Sequence, residues 1–224
     1  MDKSGSGTEV MDSLLKGGYE KDIITTIYGP SSTGKTCLSM LAAINTLKQD
    51  KKVVYIDTEG GFSIERALQI YPEFLTKSDN FIMFKPTSFL QQKQVIEKLK
   101  NIIAQNVGLI VVDSIAMYYR LEVANAPDYA NVNKDLNAQL MNLLEITRDH
   151  CIPVIITNQV YSNMDIKNEV HMVGGDLIRY TCKCIIELKK AGIIRKAIVK
   201  KHRAIAENAE AEFKLEEKGV FWNI

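Results

Sequence analysis

No stretch of the 224-residue sequence approaches the roughly 18 apolar residues that a membrane span needs, and the opening MDKSGSGTEV lacks the apolar core of a signal peptide. A soluble, cytoplasmic protein without membrane contact is expected. Neither charge is in excess: 28 Lys and Arg stand against 27 Asp and Glu, a net charge of +1. Such a chain is no polycation that coats nucleic acid unspecifically, so any DNA contact has to be local. The four cysteines, Cys37, Cys151, Cys182 and Cys184, form no CxxC pair and sit in apolar or element-like segments, which suits reduced thiols better than disulfides or zinc. Internal repeats are absent, low complexity is confined to the first few residues, and no N-K-x-D guanine motif is found.

What the chain does have is a core, with 46% hydrophobic residues over a length that suits one large α/β domain. It reads as a single domain over residues 1–224, with 1–7 a flexible start and no separate N-terminal DNA-binding domain. TEVMDSLLKGG predicts a short helix capped by Thr8 and ended by Gly17 or Gly18. Strand-like runs DIITTIYG, KVVYIDT, NFIMFK, GLIVVDS and CIPVIITNQ then alternate with helical patterns such as KTCLSMLAAINTLKQ, SFLQQKQVIEKLKNIIAQ and NKDLNAQLMNLLEITRDH. Ser88 with Gln91 forms a capping box at the second of these. Strands that are apolar almost throughout imply a mainly parallel central sheet flanked by helices. In the last quarter, LIRYTCKCIIELKKAGIIRKAIVKKHR and AEFKLEEKGVFW predict antiparallel strands, a hairpin extension with turns near Ala191-Gly192 and Lys218-Gly219.

The sharpest local signal is Gly29-Pro30-Ser31-Ser32-Thr33-Gly34-Lys35-Thr36, which fits G-x-x-x-x-G-K-[ST] between a predicted strand and a predicted helix. Backbone N–H groups of that loop, with Cys37 next in the helix, would wrap the phosphates of ATP. Lys35 would reach the β and γ phosphates, and the Thr36 hydroxyl would ligate Mg2+. The magnesium-side carboxylate is Asp113, directly after the apolar run of GLIVVDS. YIDTEGG places Asp57 and Glu59 at the end of the strand after the P-loop helix; Glu59, followed by two glycines, is the better general base, with Asp57 supporting the fold or the loop instead. Gln159, ending IITNQ, is either a γ-phosphate sensor or an ordinary polar strand end.

Taken in order, GPSSTGKT, YIDTEGGF, LIVVDS, IITNQV, VGGDLIRY and EFKLEEKGVF resemble the ATPase core of the RecA/RadA recombinase superfamily, in a core-only archaeal form whose Lys-His-Arg near the end is matched by Lys201-His202-Arg203. The resemblance implies a RecA-like P-loop ATPase core, with ATP and Mg2+ as cofactors. It gives Lys35, Thr36 and Asp113 to nucleotide and metal, Glu59 to water activation, Gln159 to the relay from γ-phosphate, and Arg66 to the adenine. It maps the segments from Arg120 to Lys134 and from Val160 to Gly174 onto two DNA-holding loops, with Arg120, Lys134, Tyr161, Lys167 and His171 as DNA contacts. Lys200, Lys201, His202 and Arg203 would sense phosphate in a neighbouring subunit; otherwise they are a solvated strand end beside Lys189, Lys190, Arg195 and Lys196.

The implied function is mediation or regulation of the main recombinase in homologous recombination and DNA repair, with weak DNA-dependent ATPase activity. A nucleotide-switched interaction module with little hydrolysis is the alternative, and a small-molecule P-loop kinase a more distant one. Expected partners are single-stranded or branched DNA, the main recombinase, a Holliday-junction resolvase and a second copy of the chain. Two departures weaken autonomous filament formation: neither an N-terminal DNA-binding domain nor a docking linker is seen. The first loop also sets Glu122 and Asp128 against Arg120 and Lys134, so DNA binding there should be weak.

Overall fold

A computed structural model describes residues 2–103, 106–162 and 170–222. The chain opens with β1 (Lys3–Ser4), α1 (Glu9–Leu14) and β2 (Tyr19–Glu20). Lys3 and Ser4 pair antiparallel with Glu20 and Tyr19, Lys3 Nζ donates to Leu15 O at 2.6 Å, and Ser6 is fully buried. The start of the chain is therefore a paired strand where the sequence suggested a flexible segment: its polar groups find backbone partners in a neighbour that local composition does not reveal. Thr8 caps α1 as expected, its Oγ1 accepting from Val10 N–H.

Alternating elements follow: β3 (Ile24–Tyr28), α2 (Lys35–Lys48), β4 (Lys52–Asp57), α3 (Ile64–Ile70), a 3-10 turn (Phe74–Asn80), β5 (Phe81–Phe84), α4 (Phe89–Ile102) and β6 (Val107–Asp113). Ser88 caps α4 by accepting from Gln91 N–H, while the Gln91 amide oxygen reaches back to the Thr87 N–H, one residue earlier than in an ideal capping box. Next come α5 (Met117–Asn125), α6 (Ala130–His150), β7 (Val154–Asn158), β8 (Val160–Ser162), β9 (Val170–Met172) and α7 (Gly175–Thr181). The strands β10 (Cys184–Ala191), β11 (Ile194–Lys201), β12 (Glu210–Glu216) and β13 (Gly219–Trp222) complete it.

Nine strands among the described residues form one sheet, ordered β13-β12-β11-β10-β3-β7-β6-β4-β5. From β10 to β5 every pairing is parallel, and from β10 to β13 every pairing is antiparallel. The C-terminal extension is thus antiparallel as expected, but its first strand also belongs to the parallel sheet through β3. β3, β4, β6 and β7 are buried almost throughout, as strands covered on both faces must be. One face carries α1, α2 and the inner residues of β10 and β11 around Leu38, Ile186 and Val199; the other carries α4, α6 and α7 around Ile96, Leu140 and Ile178.

Two local expectations change. LIRYT is helical, not extended: α7 begins after Gly174 at φ 66°, buries Ile178 and Thr181 and exposes Arg179 and Tyr180, a helical spacing rather than alternation. The segment from Arg120 to Lys134 is mostly helix too, with Arg120 inside α5 and Lys134 inside α6; only residues 126–129 connect them. Tyr119 explains why, since its ring is buried against Phe89 and its hydroxyl donates to Asn133 Oδ1 at 2.7 Å, stapling the two helices.

Candidate nucleotide-binding site

The P-loop joins the end of β3 to the start of α2, and backbone geometry dictates its two glycines. Gly29 lies at φ 156°, and a Cβ there would stand 2.4 Å from Leu188 O on β10. Gly34 lies at φ 104° as the left-handed cap of α2, against the Leu215 side chain. Thr33 is fully buried and donates to Pro30 O at 2.9 Å, closing the loop on itself, while Ser31 and Ser32 stand exposed at its apex. The free N–H groups of the helix N-terminus make this an anion cradle.

Lys35 is buried, and its Nζ donates to Gly29 O at 2.8 Å and Pro30 O at 2.9 Å. Burial pulls its ammonium below the ordinary range, with the Glu59 and Asp113 carboxylates opposing that shift. Among the described residues its hydrogen bonds go to neutral carbonyls and not to a carboxylate, which suits an anionic ligand. Asp113, at the end of β6, is 2% exposed. It accepts from the Tyr55 hydroxyl at 2.9 Å and from the hydroxyls of Thr157 and Thr36. Desolvation raises its carboxyl, and those three hydrogen bonds oppose the rise. Tyr55 and Thr157 were not foreseen; the signal was a tyrosine within the otherwise aliphatic VVYID run and a threonine at the matching end of VIITN.

Among the described residues no group of three or more His, Cys, Asp or Glu side chains could hold a metal. Mg2+ prefers few protein ligands beside a substrate's own phosphates, so one hydroxyl and one carboxylate would suffice to hold it. Thr36 and Asp113, hydrogen-bonded to each other, bring one hydroxyl and one carboxylate together beside the loop.

Asp57 is not free for chemistry: its carboxylate accepts the N–H groups of Gly61 at 3.1 Å and Phe62 at 3.2 Å, shaping the turn after β4. The neighbouring Thr58 exchanges hydrogen bonds with Ser114, tying β4 to β6. Glu59, next along, is exposed to the pocket, and Gln159 Nε2 donates to its Oε1 at 2.9 Å. Ser31, Ser32, Lys35, Thr36, Cys37, Glu59 and Gln159 thus line one cleft, joined by Arg195 and Leu215 from the C-terminal strands, which sequence reasoning had not assigned to it.

Other candidates lie elsewhere. Arg66, in the first turn of α3, donates to the carbonyls of Glu217 at 2.6 Å and of Glu216, so it is anchored on the β12–β13 turn next to Cys37. Arg120 and Lys134 are exposed on α5 and α6. Tyr161 is 52% exposed on β8, and its backbone register partner is His171 on β9. Lys167 lies outside the described residues. Lys200 Nζ donates to Asn208 Oδ1, Lys201 to Arg179 O, and His202 is buried beside Glu20. Arg203 donates to Glu20 at 2.7 Å and forks onto both Asp22 oxygens at 3.0 and 2.6 Å.

Among the described residues no helix is long and apolar enough to cross a membrane. A family model described as Rad51 matches residues 3–222. The DNA repair and recombination protein RadB of Methanobrevibacter smithii is 40% identical over 218 residues, covering 94% of this chain and 92% of that protein. The RadB of Thermococcus kodakarensis is 38% identical over 224 residues, covering 96% and 97%. A solved structure, the crystal structure of the RadB recombinase, superposes with a TM-score of 0.82 at 37% identity, covering 97% of this chain and 98% of that one. With the P-loop, the Asp113 strand end and the RecA-like sheet in place, the chain belongs to the Rad51 family, among its RadB members.

Proposed function

We propose that the chain binds ATP with Mg2+ and acts in homologous recombination and DNA repair as a mediator or regulator of the main recombinase, with weak DNA-dependent ATPase activity. The observation that carries this reading is the hydrogen bond from Gln159 to Glu59. Gln159 also accepts the Val173 N–H through its carbonyl at 3.2 Å, at the root of the β8–β9 arm. One residue therefore touches both the catalytic carboxylate and the base of the segment proposed to hold DNA, so a change at the phosphate end is felt at the other.

In this reading the P-loop N–H groups and Lys35 hold the phosphates, and Thr36 and Asp113 would hold Mg2+, whose chemistry there would be to screen phosphate charge. Glu59 orients the attacking water and takes its proton. Arg66 sets the adenine side of the cleft. Arg120, Lys134, Tyr161, Lys167 and His171 contact single-stranded or branched DNA, weakly, because Glu122 and Asp128 counter the first two. Lys200 and Lys201 serve a neighbouring subunit's phosphates more readily than His202 and Arg203, which would first have to leave Glu20 and Asp22. The main recombinase, a Holliday-junction resolvase and a second copy of the chain are the proposed protein partners, in the cytoplasm.

The test is steady-state ATP hydrolysis without and with saturating single-stranded DNA, with Lys35→Ala as background. Stimulation by DNA supports the coupled ATPase. Turnover at background in both conditions supports a second reading, a nucleotide-switched interaction module, which the cation-poor helices at Arg120 and Lys134 favour.

A further inference from the structure

The strand pair β10–β11 has a face that changes character along its length. Ile186 and Leu188 on β10 stand opposite Val199 and Ala197 on β11, and all four are buried in the core over α2. Period-two alternation makes Lys190 and Arg195 the next pair on that same face. Two cations thus stand opposite each other where that face emerges from the core, Lys190 exposed and Arg195 half-buried, and like charges so placed repel. Neighbouring cations on the opposite face are neutralised: Lys189 pairs with Glu187, and Lys196 with Glu210 and Glu212. Among the described residues Lys190 and Arg195 form no ion pair.

Arg195 points its charge at the P-loop. It lines the cleft with Ser31, Ser32 and Lys35, and its Nη2 lies 3.4 Å from Ser32 O at the loop apex. Its other hydrogen bonds go to the carbonyls of Ile193 and Gly192, which are neutral, and its Nε is buried with no partner. The carboxylate in the same cleft, Glu59, is engaged by Gln159 instead. A guanidinium with one orphaned N–H, no counter-charge among the described residues and a backbone contact to the P-loop calls for an anion.

We infer that Arg195, supported across the strand by Lys190, is a ligand for the phosphate chain of the nucleotide held by the P-loop of the same chain. This rests on the nucleotide-site reading above. The hairpin then acts as a second wall of the site, set against the loop by the close approach of Gly29 to Leu188. Arg195 is a binding and positioning residue; no covalent step is assigned to it.

Binding of Mg-ATP and Mg-ADP to the full chain, with competition by inorganic tripolyphosphate, tests this in the wild type and in Arg195→Ala, Arg195→Gln, Arg195→Lys, Lys190→Ala and Lys35→Ala. Arg195→Ala and Arg195→Gln are expected to weaken both ATP and tripolyphosphate about tenfold or more, the worth of a charge-assisted hydrogen bond. Arg195→Lys should keep part of the affinity and Lys190→Ala lose about twofold. The melting temperature without nucleotide should stay level or rise in the Arg195 variants, because no ion pair is lost; a structural role would lower it.

Wild-type affinity for ATP and tripolyphosphate in Arg195→Gln, with binding lost in Lys35→Ala, overturns the inference and leaves the nucleotide site standing. Weakened ATP with unchanged tripolyphosphate competition also overturns it, by moving the contact to base or ribose. Absence of nucleotide binding in the wild type overturns both.

Discussion

The two ends of β11 carry similar cations and treat them in opposite ways. At the far end, Arg203 forks onto Asp22 and reaches Glu20, His202 is buried beside Glu20, and Lys200 meets Asn208. At the P-loop end, Arg195 and Lys190 lack any carboxylate partner among the described residues, and Arg195 lines the cleft at the loop proposed to cradle phosphate. Cationic sequence is therefore a poor guide to where an anion binds. What matters is whether the fold has already neutralised the charge, since a paired guanidinium must give up its partner before it can serve a ligand.

The strongest break of this contrast is Lys35→Ala, which removes the cation buried in the P-loop itself and should cut ATP affinity at least about 100-fold, read by calorimetric titration. A near-normal isotherm would place the phosphates outside the P-loop. Next is Glu59→Gln, which keeps the hydrogen-bonding shape but not the base; ATP should stay bound while turnover falls about 100-fold in a single-turnover assay. Unchanged turnover would remove Glu59 as the base.

Arg203→Ala sharpens the comparison from the other end. It leaves Glu20, whose side chain is 1% exposed, without its cation, and should cost about 2 kcal/mol in denaturant unfolding, a figure kept low because Arg203 is itself one-third exposed. Arg195 variants should show no such loss. Equal destabilisation at both positions would erase the distinction between a structural and a ligand-facing cation.

The smallest effect is the response to pH. Burial holds His202 below its ordinary value of 6.5, with Glu20 opposing, so the folded imidazole is neutral where the unfolded one binds a proton. Stability is then fully present above about pH 6.5 and falls as the pH drops through the depressed folded value. Asp22, lowered by its hydrogen bond to Arg203, loses its contribution only below the ordinary value of 3.8, outside that window. Thermal melts at pH 7.5 and 5.5 should show a drop that His202→Gln reduces; an equal drop in the variant would move the titration elsewhere.

Much of the nucleotide site was legible because its parts are local. A strand, a glycine-bounded loop and a helix are contiguous around GPSSTGKT, Asp113 ends one apolar run, and Glu59 follows the end of another by two residues. Register then brings Asp57 opposite Asp113 at the C-terminal ends of two neighbouring interior strands. The helical form of the first proposed DNA segment was harder to see, because α5 has no polar cap and it is Tyr119 reaching Asn133 that fastens it to α6. The paired start of the chain was hidden for the same reason, as Lys3 and Ser4 gain their order only from Tyr19 and Glu20.

By itself, the sequence determined the alternation of strands and helices, the glycine-bounded P-loop and the carboxylates around it, since each depends on backbone conformation within a few residues. Only the tertiary structure decided which charges are free. Arg203 meets Glu20 across 183 positions, Arg66 meets Glu217 across 151 and Arg195 meets Ser32 across 163, and no local pattern encodes such pairings. Charge is a property of a residue, but neutralisation is a property of its neighbours in space, and those are set by the order of strands in the sheet.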